Sequence, residues 1–362
     1  MTIYLDYQAT TPLAPEARDA MLPWLGDKFA NPHSSHKLGR EAAAVVEVAR
    51  EQVASLLPKG GRVYFTSGAT EAINWALRSF GEGGIVLPET EHAAVRDTAL
   101  WMGAQGRTVT LLPVGTDGLI DDAASFPAGT GMVAAMLINN EIGVIQPISA
   151  LAARAHAIGA AFLCDAVQGY GRISIPDGPD MIAISAHKIH GPKGIGALWV
   201  RDGVHLEPLL HGGGQEGGLR SGTLSPMLCA GFGAAARCAA ERMDADAEHV
   251  EMLWQTAFAL LPQGWMINGS QDQRYHGNLN IRCDGIDAAR LISDVRDVSF
   301  SAGSACASGS GRPSHVLRAL GLSDAQARSS IRLGFGRYTS QDDLSRAFTL
   351  IFDAAKKQGA FG

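Results

Sequence analysis

Apolar residues in the first three-fifths of the chain alternate between two spacings. From Arg40 to Leu57 they fall at positions 42, 45, 46, 49, 53 and 56, one face of a helix. RVYFTS (62–67) is a short run rich in strand formers that stops at Gly68, and reads as a strand. Ile73, Ala76, Leu77 and Phe80, spaced i, i+3, i+4, i+7, return to a helical period. Apolar runs predict strands at 85–88, 109–114 and 132–138, and Ser149 is expected to cap a helix ending at Gly159. AAFLCD (160–165) and MIAIS (181–185) read as two further strands. Strands apolar on both faces, separated by helical stripes, indicate βαβ units and hence a mainly parallel sheet covered by helices.

Past about residue 245 the pattern changes. NLNIRC (278–283) and SSIRLGF (329–335) are strand-like, with a loop at 301–311 between them. A helix follows from Ser340 to Gln358, with Lys356 and Lys357 in its last turn and Gly359 behind it. The expected organisation is α/β, with a large domain at 15–245 and a smaller α+β domain from 1–14 and 246–362. No Pro/Ser-rich linker marks the boundary.

Composition narrows the function classes. The chain has 362 residues, 46% hydrophobic and 18% charged, as in ordinary globular proteins. A net charge of -6 without a dense Lys/Arg run excludes nucleic acid as the main partner. MTIYLDYQATTP has neither the basic start nor the apolar core of a signal peptide, and the longest apolar run, Met132–Ile138, is too short to span a bilayer. Five cysteines (164, 229, 238, 283, 306) with no CxxC fit neither a disulfide framework nor a zinc knuckle. A cytoplasmic protein with reduced thiols and no metal is expected.

The candidate chemistry lies in the loops. No GxGxxG follows the first strand and no GxxxxGK[ST] occurs. TSGATE (66–71) instead places Gly68, Ala69 and Thr70 where a strand gives way to a helix, so free N–H groups and the helix dipole attract an anion. On its own Thr70 would be read as a simple N-cap. Asp165 closes an apolar strand at the edge where open α/β sheets bind ligands, and a buried carboxylate there needs a cationic partner. A protonated ring nitrogen or a structural Arg or Lys would serve. SAHKIHGPKGIGALW (185–199) then sets Lys188 behind Ser185 and His187. An anion cradle, an acid for a ring nitrogen and a lysine at a sheet edge are the parts needed for pyridoxal phosphate. Lys188 suits the Schiff-base role because partial burial favours the neutral amine, whereas Lys193 sits deep in a glycine loop. In SAGSACASGSG (301–311) Cys306 has no apolar neighbours to join, unlike the other four cysteines, and is the candidate reactive thiol.

Taken together these residues resemble the cysteine desulfurase (NifS/IscS-like) family of fold-type I pyridoxal-phosphate enzymes. The likeness runs nearly the whole chain: YLDYQATTP (4–12), NPHSSHKLG (31–39), TSGATE, TEHAAV (90–95), NNEIG (139–143), DAVQGYG (165–171), SAHKIHGPKGIGAL, HGGGQEGGLRSGT (211–223), SAGSACAS and SSIRLGFGR (329–337). The serine-rich cysteine loop resembles the IscS/NifS branch rather than the SufS branch. The resemblance implies that Lys188 carries the cofactor, His92 stacks on its ring and moves protons, Asp165 pairs with the ring nitrogen and Gln168 bonds the phenolic oxygen. It implies that Ala69, Thr70, Ser185 and His187 hold the phosphate, joined by Thr223 from the other subunit of a homodimer. Asn140 and Arg332 are implied to position the carboxylate of L-cysteine, with Asn140 also against the cofactor. The Cys306 thiolate would take the sulfur as a persulfide for a scaffold or carrier protein, in iron–sulfur cluster assembly or thio-modification, releasing alanine. Members serving iron–sulfur assembly often carry a longer C-terminal tail that docks the scaffold; this chain stops soon after the helix at 340–358, which leaves the acceptor undecided. Rival readings are a selenocysteine lyase, another aminotransferase-like enzyme of this fold and an activator-dependent assembly subunit. SAHK also matches S-x-x-K, but the SDN and KTG of penicillin-binding enzymes are absent.

Overall fold

The computed structural model describes residues 2–121, 124–302 and 313–359; Cys306 lies outside them. A short N-terminal strand, β1 (Ile3–Tyr4), precedes β2 (Gly61–Thr66), β3 (Gly84–Pro88), β4 (Val109–Leu112), β5 (Thr130–Met136), β6 (Ala161–Asp165), β7 (Met181–Ser185) and β8 (Gly196–Arg201). The last seven form one sheet in the order β2-β8-β7-β6-β5-β3-β4. It is parallel except at β8, which runs antiparallel to both neighbours. The expected mainly parallel sheet is therefore observed.

Both faces of this sheet are buried, which is why its strands read as unbroken apolar runs. Phe162, Cys164, Ile182 and Ile184 pack on one side with Val46, Ala49 and Val53 of the helix Lys37–Ala54. Leu163, Met181 and Ala183, alternating with them, pack on the other against Ile73, Leu77 and Val95 of the helices Ala69–Ser79 and Ala93–Ala104.

A separate core collects Ile3 and Leu5 with Leu253, Trp254, Leu279, Ile281, Ile331, Leu333 and Phe348. Here β9 (Met266–Ile267), β10 (Asn278–Arg282) and β12 (Ser330–Gly334) form an antiparallel sheet in the order β12-β10-β9, and β11 (Val298–Ser299) pairs parallel with β1. The helix Gln341–Lys357 covers this sheet, capped by Ser340 as its sequence indicates. The 34-residue helix Pro226–Ala259 passes residue 245 unbroken, with Phe232 in the first core and Leu253 in this one.

Local corrections follow from capping and turn chemistry. The helix Lys37–Ala54 begins before the apolar stripe, because the His36 ring accepts the Gly39 N–H at 3.2 Å. Ser149 does not cap its helix: Ile148–Ala157 starts directly after Pro147, and the Ser149 hydroxyl donates to the Asp177 carbonyl at 2.8 Å. β5 ends at Met136, two residues before its apolar run, where the chain enters the turn carrying Asn139 and Asn140.

Two glycines bring separate segments into contact. A Cβ on Gly196 would lie 2.8 Å from the Gly68 Cα, so only glycine lets the loop after β2 close over β8. A Cβ on Gly334 would lie 2.9 Å from the Tyr7 backbone nitrogen, so the glycine lets the N-terminal segment pack closely across β12.

Candidate active site

The carboxyl ends of the parallel strands, where backbone dipoles and loops converge, open into a cavity of about 430 Å³. Asp165 ends β6, Ser185 ends β7, His92 follows β3 and Asn140 follows β5, while Ala69 and Thr70 begin the helix after β2. Gln168, His187, Lys188 and Arg332 line the same cavity, so residues 263 positions apart meet there. Thr223 does not: it is exposed on the far end of the 211–223 loop. Cys306 lies outside the described residues.

Lys188 sits on a single 3₁₀ turn, Ala186–Lys188, directly after β7. Its Nζ donates to the carbonyls of Gln8 and Ala9, the latter at 2.8 Å. Burial, then the charges of Arg172 and Arg332, bring its pKa down to about 7, against weaker opposing pull from Asp6 and Asp165. The amine is therefore available neutral at physiological pH. Arg172, whose Nη2 donates to the Lys188 carbonyl at 2.9 Å and Nη1 to Gln168 Oε1 at 2.7 Å, fixes this turn from behind.

Asp165 is buried, and its Oδ1 accepts the Val167 N–H at 3.0 Å. Burial raises its pKa, while His92 and Lys188 pull it back. Glu91 is completely buried beside it; Oε1 accepts the Met136 N–H at 2.7 Å, and Oε2 has no partner among the described residues. Burial and then the Asp165 charge push the Glu91 pKa well above the usual range. The pull of His92 and Lys188 acts on Asp165, whereas only a backbone N–H opposes the rise at Glu91, so of the two neighbouring carboxyls Glu91 is the more strongly raised.

A stability signature follows. A raised folded-state pKa stabilises below the unfolded value, 4.5, and that contribution is lost as pH rises through the folded pKa. Each pH unit inside that window removes about 1.4 kcal/mol. Glu91→Gln carries no proton, so its melting temperature relative to wild type is expected to rise steadily from pH 5 toward pH 8 in the cofactor-free protein. A constant difference across that range would mean that Glu91 is ionised in the fold.

The anion cradle is built as its sequence suggests. The helix Ala69–Ser79 begins after Gly68 with no side-chain cap, so its first N–H groups open on the cavity floor beside Ser185 and His187. Burial, then Lys188 and Lys193, lower the His187 pKa to about 4, so its ring is neutral. Its Nδ1 lies 3.1 Å from the Thr10 hydroxyl. His92 caps the helix Ala93–Ala104, its Nδ1 accepting the Ala94 N–H at 3.1 Å.

Arg332 is almost wholly buried on β12; Nη2 donates to Asp6 Oδ1 at 2.8 Å and Nη1 to the Asn140 carbonyl at 2.9 Å. The 211–223 loop is fixed at two points: Glu216 takes both Nη atoms of Arg50 and the Phe65 N–H at 2.8 Å each, and Arg220 donates to Glu71 at 2.7 Å. His190 is buried against Pro12, and Lys193 is exposed at the cavity rim.

Sequence reasoning assigned nothing to Asp6, Gln8, Glu91, Arg172 or His315. All but Arg172 and Asp6 line the cavity, and those two hold residues that do. Asp6, Gln8 and Glu91 stand inside motifs singled out in the sequence, YLDYQATTP and TEHAAV; nothing local marks Arg172 or His315.

Known proteins resemble this chain over most of its length. The family model described as "Aminotransferase class-V" matches residues 3–347. "Cysteine desulfurase IscS" of Rickettsia typhi (strain ATCC VR-144 / Wilmington) is 40% identical over 371 aligned positions, covering 97% of this chain and 90% of that protein. A solved "NIFS-LIKE PROTEIN" superposes with a TM-score of 0.91 at 30% identity, covering 99% of this chain and 100% of the other. The structure described as "SspA in complex with cysteine" gives 0.82 at 34% identity, over 94% and 100% of the two chains.

Proposed function

The chain belongs to the aminotransferase class-V family, and we propose that it is a pyridoxal-phosphate-dependent cysteine desulfurase that converts L-cysteine to L-alanine and passes on the sulfur. The observation that carries this reading is the pairing, in one cavity, of a buried lysine whose pKa burial lowers to about 7 with a buried carboxylate at a strand end.

The residues fit the cofactor. The uncapped start of Ala69–Ser79 and the close approach that Gly196 permits suit a phosphate, and Asp165 suits a protonated ring nitrogen. Ala69, Thr70, Ser185 and His187 would hold the phosphate, Lys188 the aldehyde, and Gln168 the phenolic oxygen. When bound, the cofactor supplies an electron sink that makes the substrate's α-proton acidic. His92 would cover the ring and move protons at Nε2, because Nδ1 is taken by the Ala94 N–H. The Lys188 amine would hold the cofactor's aldehyde and, when free, would take or give a proton at Nζ.

Arg332 and Asn140 would orient the substrate carboxylate, and the relative with bound cysteine supports that substrate. Cys306 then takes the sulfur: its thiol and L-cysteine become a Cys306 persulfide and L-alanine, a balanced transfer with no outside oxidant. An acceptor protein, in iron–sulfur cluster assembly or thio-modification, would remove that sulfur.

The protein would act as a homodimer, since Thr223 does not line the cavity that holds Lys188 and the doubly anchored 211–223 loop can present it to a second copy. The two cores would be its two domains, 15–245 and 1–14 with 246–362. No helix among the described residues is long and apolar enough to cross a membrane. A cytoplasmic location agrees with the four described cysteines being free.

The direct test is alanine and sulfide formation from L-cysteine by the cofactor-loaded protein with a thiol reductant present. Equal amounts of both are expected. Alanine from L-selenocysteine only would replace the reading with a selenocysteine lyase, and an amino-group product without alanine would replace it with aminotransfer.

A further inference from the structure

Arg332 carries its charge into a nearly sealed position, and the structure shows what steadies it. Its Nη2 donates to Asp6 Oδ1 at 2.8 Å, its Nη1 to the Asn140 carbonyl at 2.9 Å, and its Nε has no partner among the described residues. A guanidinium has five N–H groups, so these two bonds leave a fork's worth of donors for an incoming carboxylate. Asp6 is itself held. Its Oδ1 also accepts the Ser301 hydroxyl at 3.0 Å, and its backbone pairs with Gly334, where the absence of a Cβ lets the N-terminal segment lie against β12. Residue 301 is in turn paired antiparallel with Arg332 through the backbone, so the two groups that bond Asp6 Oδ1 sit on segments joined to each other. Without this acceptor, a buried guanidinium would lose a fixed orientation and leave a donor unsatisfied.

We propose that Asp6 is the positioning residue of the substrate-carboxylate subsite: its Oδ1 locks the Arg332 guanidinium in the orientation that receives the α-carboxylate. The proposal rests on the reading of Arg332 as the carboxylate partner. Asp6 works through Arg332 and touches no reacting atom, so its loss acts on substrate binding rather than on the chemical step.

The experiment compares Asp6→Ala, Asp6→Asn and Arg332→Gln in the cofactor-loaded enzyme. Three quantities are read: the kcat and KM for L-cysteine, and the Kd for L-alanine, which has no sulfur to transfer, from the change in cofactor absorbance. Asp6→Ala is expected to raise KM and the L-alanine Kd by about 10- to 30-fold, the effect of one lost buried hydrogen bond, with kcat within about threefold. Asp6→Asn keeps an acceptor at the same place and is expected to stay within about threefold on all three quantities. If Arg332→Gln weakens L-alanine binding while Asp6→Ala does not, the positioning role is overturned and the carboxylate reading stands. Unchanged L-alanine binding in Arg332→Gln overturns both. An Asp6→Asn enzyme as weak as Asp6→Ala would mean that Asp6 acts by charge, which also overturns positioning. If Asp6→Ala does not load cofactor, Asp6→Glu serves instead: it keeps the charge but displaces the oxygen by one methylene. A KM raised about tenfold there supports the proposal, and an unchanged KM sinks it.

Discussion

A Lys188→Ala protein is expected to lose covalent attachment of the cofactor and at least about 10³-fold in alanine formation, the usual scale for removing a covalent nucleophile. The reason is positional. Lys188 comes off the end of β7 on a single 3₁₀ turn, and its Nζ is held by the Gln8 and Ala9 carbonyls inside the cavity. Lys193 stands at the cavity rim in an exposed loop and has no such hold. Burial and the nearby Arg172 and Arg332 charges bring the Lys188 pKa to about 7, so capture of the aldehyde by cofactor-free protein should quicken as pH rises through 7. A lysine with its ordinary pKa would instead quicken toward pH 10. Borohydride reduction followed by peptide mass spectrometry reads the outcome. Equal trapping in the variant, on Lys193 or elsewhere, would remove Lys188 from its assigned role.

The second large effect is expected at Cys306. Cys306→Ala should retain cofactor and L-cysteine binding while alanine formation falls by about 10²-fold or more, the loss expected when a nucleophile is deleted but the binding site is intact. The other thiols do not offer a substitute. Cys164 is enclosed in β6, and burial lifts its pKa well above the ordinary value. Cys229 is pushed up to about 12 by burial, and burial raises Cys238 and Cys283 as well. A thiol held protonated is a poor nucleophile. Mass spectrometry of the cofactor-loaded protein after one turnover without reductant should find one added sulfur, on the peptide containing Cys306. A Cys306→Ala enzyme that makes alanine at the wild-type rate would show that sulfur leaves by another route.

Much of the scaffold was legible because sheet and helix periods are written in apolar spacing. Strands buried on both faces appear as runs such as MIAIS, and their order along the chain implied parallel pairing. The errors were at ends. His36 and Pro147 set helix starts that apolar stripes do not reveal, since a cap or a missing N–H depends on single residues outside the stripe. Site residues were legible where backbone geometry imposes them: Gly68 before a helix, Asp165 and Lys188 after strands. Glu91 and Asp6 were passed over because an acidic residue in a loop looks solvated until its burial is known.

The sequence by itself determined the alternation of strand and helix, the anion-binding loop, the lysine and the isolated cysteine, because each depends on residues close together along the chain. Only the tertiary structure decided that the Lys188 pKa falls to about 7, that the Glu91 pKa rises well above its ordinary range beside Asp165, and that Asp6 holds Arg332 across 326 positions. Those are properties of desolvation and of charges brought together by folding, and the strength of both is set by distance in space rather than along the chain.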